Sequence, residues 1–97
     1  MNPQRVQISG NSMWPTFPEG TLFALETNPK KIRVNDLVLA IHPTSSDLKI
    51  VKRIQSINGE WVFVVGDNPD PLSSDDSHNF GPIHIDNILG ICTPLME

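Results

Sequence analysis

The sequence has few of the features that mark secreted or membrane-spanning proteins. Cys92 is the single cysteine among 97 residues, so no intramolecular disulfide can form, and a reducing compartment fits this usage. No stretch approaches the roughly 20 apolar residues that a membrane-spanning helix needs. The N-terminal segment MNPQRVQISG lacks the apolar run of a secretory signal. The sequence therefore predicts a soluble cytoplasmic protein without an integral membrane anchor.

Positive charge is also scarce. Seven lysines and arginines stand against eleven aspartates and glutamates, which gives a formal net charge of −4. An acidic surface does not attract phosphate backbones or anionic lipid headgroups, so nucleic acid is not expected as a partner. The three histidines and Cys92 lack the spacing of a metal site. No metal and no other cofactor is expected, and Cys92, in an apolar strand, is predicted to be an inert buried thiol.

Apolar runs are short and are separated by turn residues, which is the pattern of an all-β domain. Nine prolines and six glycines leave little room for long helices, and no segment shows a convincing period of 3.6 residues. The expected fold is a small single domain over residues 1–97, built from antiparallel sheets around one core. The predicted strands cover residues 21–26, 36–42, 48–57, 61–66 and 87–92.

Two hairpin connections and one long loop organise these strands. Asn58-Gly59 tolerates positive φ and predicts a hairpin that pairs residues 48–57 with residues 61–66. Residues 43–47 are expected to form a second hairpin connection. Residues 67–83 are the longest irregular stretch, and loops of that length in compact domains are often functional. The predicted core face of strand 61–66 consists of Trp61, Phe63 and Val65.

Lys52 has an unexpected position in the strand 48–57. Side chains alternate between the two faces of a strand, and Lys49 and Arg53 point to the predicted solvent side. Burial disfavours a charged lysine and lowers its pKa, so a lysine on the core side can act as a neutral general base. The alternative is a lysine near a sheet edge whose ammonium reaches water. The core face of this strand consists of Leu48, Ile50, Lys52, Ile54 and Ser56.

Ser12 is the candidate nucleophile, in the segment SGNSMWPT. A serine becomes nucleophilic when a base removes its proton, and Ser-Lys pairs are a known form of this arrangement. On its own, a serine in a Gly-Asn-Ser turn is most often only a turn residue, so the case for Ser12 depends on Lys52. Met13 and Trp14 are expected either to join the core or to form an apolar rim that contacts substrate.

Taken together, several segments resemble the conserved boxes of the bacterial type I signal peptidases, a family of Ser-Lys proteases. The segments are SGNSMWPT, NDLVLA, IVKRI, GDNPDPLSSDDSHNFGPI and NILG, in that order, between Ser9 and Gly90. The resemblance implies the catalytic core shared by signal peptidases and LexA-like proteins, with Ser12 as nucleophile and Lys52 as general base. It also implies an oxyanion hole made of backbone N–H groups, including that of Ser12.

The resemblance extends into the long loop, where Gly66, Asp67 and Asn68 correspond to the family's Gly-Asp-Asn turn. Ser74 corresponds to a serine that orients the base lysine, and Ser73 competes for this role because the loop is longer than the common form. Asp76 and Ser77 correspond to an Asp-Ser pair that buttresses the site. His78 stands where the family usually has an arginine, which weakens the ion pair with the aspartate and makes the buttress pH-sensitive.

The resemblance also indicates a substrate. Small soluble relatives of the signal peptidases include the proteases associated with nickel-type superoxide dismutase, and the compact spacing of Ser12 and Lys52 looks most like these. The resemblance to these proteases implies removal of an N-terminal leader from a precursor protein, with the nickel-type superoxide dismutase precursor as candidate substrate. The alternatives are anchor-less processing of another precursor and a non-catalytic β binding module. A self-cleaving repressor fits less well, because it needs a DNA-binding domain before the serine.

Overall fold

The computed structural model describes residues 4–27, 31–70, 72 and 75–95. Its strands are β1 (Gln4–Gln7), β2 (Leu22–Thr27), β3 (Leu37–His42), β4 (Ser45–Asn58), β5 (Trp61–Val65), β6 (Ile83–His84) and β7 (Ile88–Pro94). They form one antiparallel sheet in the order β1-β2-β7-β3-β4-β5-β6. The prediction of a small all-β fold is confirmed, with a single sheet in place of several.

Two short helices and strands β1 and β6 lie outside the prediction. The helix α1 (Ser77–Phe80) interrupts the stretch expected to be irregular, and a 3-10 helix covers Ile85–Asn87. Asp76 caps α1 by accepting a hydrogen bond from the His78 N–H, but four residues are too few to show a helical period. Within the described ranges, no helix has the length and apolar character needed to cross a membrane.

The core lies on both faces of β3. Alternate residues of a strand point to opposite faces, so Leu37 and Leu39 join one cluster and Val38 and Ala40 join the other. The first cluster consists of Ile8, Met13, Phe23, Leu25, Leu37, Leu39 and Cys92. The second consists of Val38, Ala40, Ile54, Val62, Val64 and Ile83.

The predicted hairpin between β4 and β5 is confirmed. Asn58 pairs with Trp61 across the turn, and Gly59 has a φ of 61°, which favours glycine. The predicted core face of β5 is wrong, because Val62 and Val64 are fully buried and Trp61 is half exposed. Every residue of β5 is apolar, so its alternation could not show which face is inside.

Candidate active site

Ser12 lies in a turn whose main chain is held by its own hydrogen bonds. The Trp14 N–H donates to the Asn11 oxygen at 3.1 Å, and the Phe17 N–H donates to the Met13 oxygen at 2.8 Å. Met13 is fully buried in the first core cluster, so its expected alternative place in a substrate rim is wrong. Trp14 is 50% exposed. The turn thus has one apolar side chain anchored in the core and a second one on the surface.

Lys52 lies in the part of β4 that pairs with β3. It pairs with Val38 of β3, and only 3% of its surface is exposed. The alternative of an ammonium that reaches water is therefore wrong. Desolvation by burial lowers the pKa of Lys52, while the charges of Asp76 and Asp75 oppose this shift by favouring the ammonium form. A lysine with a lowered pKa is better suited to accept a proton near neutral pH.

Ser12 and Lys52 line the same cleft, which has a volume of about 470 Å³. Strand β1 lines it together with Ile8 and Ser9, and residues 48–51 of β4 also contribute. Leu25 and Leu39 add apolar surface. Two residues that are 40 positions apart in the sequence thus line one cleft, and its size suits a short peptide segment.

The turn that follows β5 fixes the main chain around Ser12. The Asn68 N–H donates to the main-chain oxygen of Ser12 at 2.9 Å. The Asn68 side chain donates from Nδ2 to the oxygen of Asn11 at 2.7 Å. Two consecutive carbonyl groups of the serine turn are therefore held by one asparagine, which restricts how the turn can move relative to β5.

Asp67 links the same segment to the strand that carries Lys52. Arg53 follows Lys52 directly and donates from Nε and Nη2 to the two carboxylate oxygens of Asp67, at 2.9 and 2.8 Å. The prediction that Arg53 points to solvent is wrong, since 27% of its side chain is exposed. Burial opposes ionisation of Asp67, but hydrogen bonds from Arg53 and Thr16 outweigh it and lower its pKa. One segment thus ties the serine turn to the lysine strand.

Asp76 and Ser77 brace the end of β5. The Asp76 carboxylate accepts from the Gly66 N–H at 3.1 Å, from the His78 N–H at 3.0 Å and, on the same oxygen, contacts His78 Nδ1 at 3.0 Å. Burial opposes ionisation of Asp76, but these hydrogen bonds outweigh it and lower its pKa. Ser77 Oγ accepts from the buried Val64 N–H at 2.9 Å. The segment before and within α1 therefore supports the turn that holds Ser12.

Ser73 and Ser74, the two candidates for orienting Lys52, lie outside the residues that the structure describes. Cys92 is 4% exposed, and burial raises the pKa of its thiol to about 11, as expected of an unreactive cysteine. Among the described residues, no three histidine, cysteine, aspartate or glutamate side chains are grouped so that they could hold a metal ion.

Comparison with known families decides the broad class. The family model described as Peptidase S24-like matches residues 5–89. The chain belongs to the peptidase S24-like family. A search of curated proteins found no match. Membership in the peptidase S24-like family supports a Ser-Lys peptidase-like function and an enzyme of the peptidase type, and the matched range includes Ser12, Lys52, Asp76 and Ser77.

Sequence reasoning missed two contacts in this S24-like chain. Arg53 and Asp67 form the bidentate pair described above, and His42 Nε2 lies 2.9 Å from Asp75 Oδ2. The partners are 14 and 33 positions apart, so no local spacing rule connects them. The available signal for Asp67 was its place in the Gly-Asp-Asn motif. For His42 and Asp75 the sequence carried no comparable signal.

Replacing Asp67 by asparagine is expected to lower the free energy of unfolding by about 1–3 kcal/mol at pH 7, because a charge-assisted pair that is partly shielded from water is lost. The lowered folded-state pKa of Asp67 means that its carboxylate stabilises the fold above its unfolded pKa of about 3.8. This contribution is lost as the pH falls through the folded-state pKa. Urea unfolding at pH 7 and pH 3 measures both effects.

Asp47→Asn is the matched control for this prediction, because Asp47 is an exposed aspartate in β4. It should leave the free energy of unfolding within about 0.5 kcal/mol of wild type. Equal unfolding midpoints for wild type and Asp67→Asn at pH 7 would show that the bidentate pair does not stabilise the fold.

Proposed function

We propose that the chain is a serine endopeptidase in which Ser12 is the nucleophile and Lys52 the general base, and that it removes an N-terminal leader from a precursor protein. The observation that carries this proposal is a buried lysine with a lowered pKa in the same cleft as Ser12. Burying a lysine costs stability. A role as catalytic base explains why a buried lysine is kept at this position despite that cost.

In the proposed first step, neutral Lys52 takes the proton from Ser12 Oγ as this oxygen attacks the carbonyl carbon of the scissile bond. The carbonyl oxygen becomes negatively charged, and backbone N–H groups, including that of Ser12, stabilise it. As the C–N bond breaks, the Lys52 ammonium returns a proton to the leaving amine. The products of this step are an acyl-enzyme on Ser12, a free amine and neutral Lys52.

In the second step, Lys52 removes a proton from a water molecule, which attacks the ester carbonyl. The ester C–O bond breaks, Ser12 Oγ recovers a proton from the Lys52 ammonium, and the carboxylic acid product leaves. The same side chain therefore acts as base and then as acid in both halves of the reaction. This cycle requires a base that is neutral in the resting enzyme.

The substrate is proposed to bind in the cleft as an extended strand. Within the described residues, β1 pairs with β2 alone, and residues 49–51 of β4 pair with β3 alone, since β5 pairs with β4 only from Arg53 onward. Backbone groups on both sides of the cleft are thus available for an added peptide strand. The resemblance to signal peptidases predicts a small side chain just before the cut.

The proposed substrate is the precursor of nickel-type superoxide dismutase, processed in the cytoplasm. The substrate assignment is supported by the resemblance to the small proteases that are associated with nickel-type superoxide dismutase. The cytoplasmic location is supported by the single cysteine, which fits a reducing compartment. Processing of a different precursor, without a membrane anchor, is the competing assignment. Both assignments use the same Ser12 and Lys52 chemistry and differ only in the substrate.

The test is co-expression of the chain with a nickel-type superoxide dismutase precursor and, separately, with a secretory precursor that carries a signal peptide. Mass spectrometry of each product identifies its N-terminus. Leader removal from the dismutase precursor alone is the expected result. Cleavage of the secretory precursor alone would assign the chain to general precursor processing, and intact N-termini on both would overturn the proposed leader removal.

A further inference from the structure

His42, at the end of β3, is fixed through both of its ring nitrogens. Nδ1 lies 3.2 Å from the Thr44 nitrogen and accepts its N–H, which leaves the ring proton on Nε2 in the neutral form. Nε2 lies 2.9 Å from Asp75 Oδ2, so the ring donates to this carboxylate. The His42 side chain is 8% exposed. The β3 end therefore presents a buried N–H in a single direction, toward Asp75.

Asp75 is held in place although most of its side chain faces water. Its side chain is 60% exposed, and a carboxylate this exposed usually samples several positions. Here Oδ2 accepts from His42 and Oδ1 accepts from Asn79 Nδ2 at 3.1 Å. The His42 ring also packs against Phe80, with ring centroids 4.8 Å apart and an interplanar angle of 63°. The carboxylate is thus fixed from β3 and from α1 together.

Lys52 is the cation on which this carboxylate acts. Asp75 and Asp76 are adjacent, and both of their charges favour the ammonium form of Lys52. Asp76 accepts hydrogen bonds from Gly66 and from His78, whereas Asp75 is held by His42 and Asn79. The β3 partner of Lys52 is Val38 of the second core cluster, and Phe80 of α1, which contacts the His42 ring, packs against the same cluster. Directly paired residues of neighbouring strands share a face, so Lys52 and the His42–Asp75 pair lie on one side of the sheet. The remaining charged side chains of these elements are the exposed Asp47 and Lys49, Arg53 on Asp67, and His78 on Asp76.

We propose that the His42–Asp75 pair is a positioning device for the base, in which His42 holds Asp75 where its charge stabilises the Lys52 ammonium formed when Ser12 loses its proton. Neither residue lines the cleft, and both act through Lys52. The proposal rests on the proposed function for its catalytic meaning. Its structural content, a carboxylate held near the lysine by a buried histidine, can be tested without any substrate.

The first test is titration of Lys52 by NMR in protein labelled with ¹³C at lysine Cε. The chain has four lysines, and Lys52→Arg identifies the Lys52 signal. Asp75→Asn removes the charge and can accept only one of the two hydrogen bonds, because its amide nitrogen is a donor, so the Lys52 midpoint should move to lower pH. His42→Phe removes the donor and keeps an aromatic ring against Phe80, and it should move the midpoint in the same direction.

The second test is the pH dependence of kcat/KM on the substrate established by co-expression. In Asp75→Asn the acidic limb should move to lower pH, because the weaker base stays neutral until the solution is more acidic. The plateau should fall about two- to fivefold, as expected when one exposed charge no longer stabilises the ammonium. A purely structural role would lower the plateau without moving the limb. Combining Asp75→Asn with His42→Phe should move the limb no further than Asp75→Asn alone.

Asp86→Asn is the control, because the Asp86 side chain is 86% exposed and its charge does not act on Lys52. It should leave the Lys52 midpoint at its wild-type value. An unchanged midpoint in folded Asp75→Asn would overturn the proposal, even if the chain proves to be a protease. A shift in Asp75→Asn without one in folded His42→Phe would overturn the role of His42. If the chain cleaves nothing, the NMR titration still decides whether the pair acts on Lys52.

Discussion

Replacing Ser12 by alanine is expected to abolish leader cleavage while leaving the fold unchanged. Loss of the nucleophile in a serine protease lowers kcat by about 10⁴-fold or more. The turn does not depend on the hydroxyl, because Asn68 binds the main-chain oxygen of Ser12 and Met13 is buried in the core. The free energy of unfolding should therefore stay within about 0.5 kcal/mol of wild type.

The measurement is single-turnover cleavage of a peptide that spans the leader junction, followed by mass spectrometry. Ser9→Ala is the matched control, because Ser9 is an exposed serine that lines the same cleft. It should cleave at a rate close to that of wild type. Full cleavage by Ser12→Ala would remove Ser12 from the mechanism and require another nucleophile. No cleavage by any variant, wild type included, would favour the non-catalytic module.

Ser12→Cys tests in a second way whether Lys52 acts on the side chain at position 12. A thiol near a base that accepts its proton is partly ionised and reacts faster with iodoacetamide. Background labelling should be low, because Cys92 is buried and the pKa of its thiol is raised to about 11. We expect alkylation at position 12 to be faster than in the double variant with Lys52→Met. Equal rates would indicate that the lysine does not act on this position.

The fold followed from local signals wherever one face of a strand differs from the other. Asn58-Gly59 predicted the β4–β5 hairpin, in which Gly59 has the positive φ and Asn58 is the last residue of β4. Alternation in β4 placed Lys52 on the buried side together with Ile54, although Leu48 and Ser56 of the same predicted face are exposed. The same reasoning failed in β5, where both faces are apolar. Burial of Val62 and Val64 depends on what packs against β5, which the strand itself does not encode.

Site residues could be predicted where a strand pattern or a motif contains them, but contacts between residues that are far apart in the sequence could not. Lys52 was identified by its strand, and the Gly-Asp-Asn segment by its resemblance to signal peptidases. Met13 was left open between core and rim, because an apolar residue after a turn fits both, and only tertiary packing buries it. The bond from His42 to Asp75 needs the end of β3 to meet the start of α1. No spacing of residues in the sequence predicts that contact.

Replacing Lys52 by arginine is expected to abolish cleavage, because a guanidinium keeps the charge but does not give up a proton in proteins. Arginine is also larger, and a buried position can reject it. Lys52→Met is therefore the second variant, since methionine fills a similar volume without a charge. Both should lower kcat by about 10⁴-fold, as for Ser12→Ala. Substantial cleavage by folded Lys52→Arg would exclude Lys52 as the base.

Lys52→Met should separate activity from stability. Desolvation lowers the folded-state pKa of Lys52 below 10.5, so the buried ammonium weakens the fold most below that folded-state pKa. The loss shrinks as the pH rises toward 10.5, where the unfolded chain also becomes neutral. Inactive Lys52→Met should therefore match or exceed the wild-type free energy of unfolding at pH 7, by up to about 2 kcal/mol, and the difference should close in alkali. Urea unfolding from pH 7 to pH 10 measures this trend. A Lys52→Met protein less stable than wild type at pH 7 would mean that the lysine supports the fold, and the catalytic reason for burying it would lose its force.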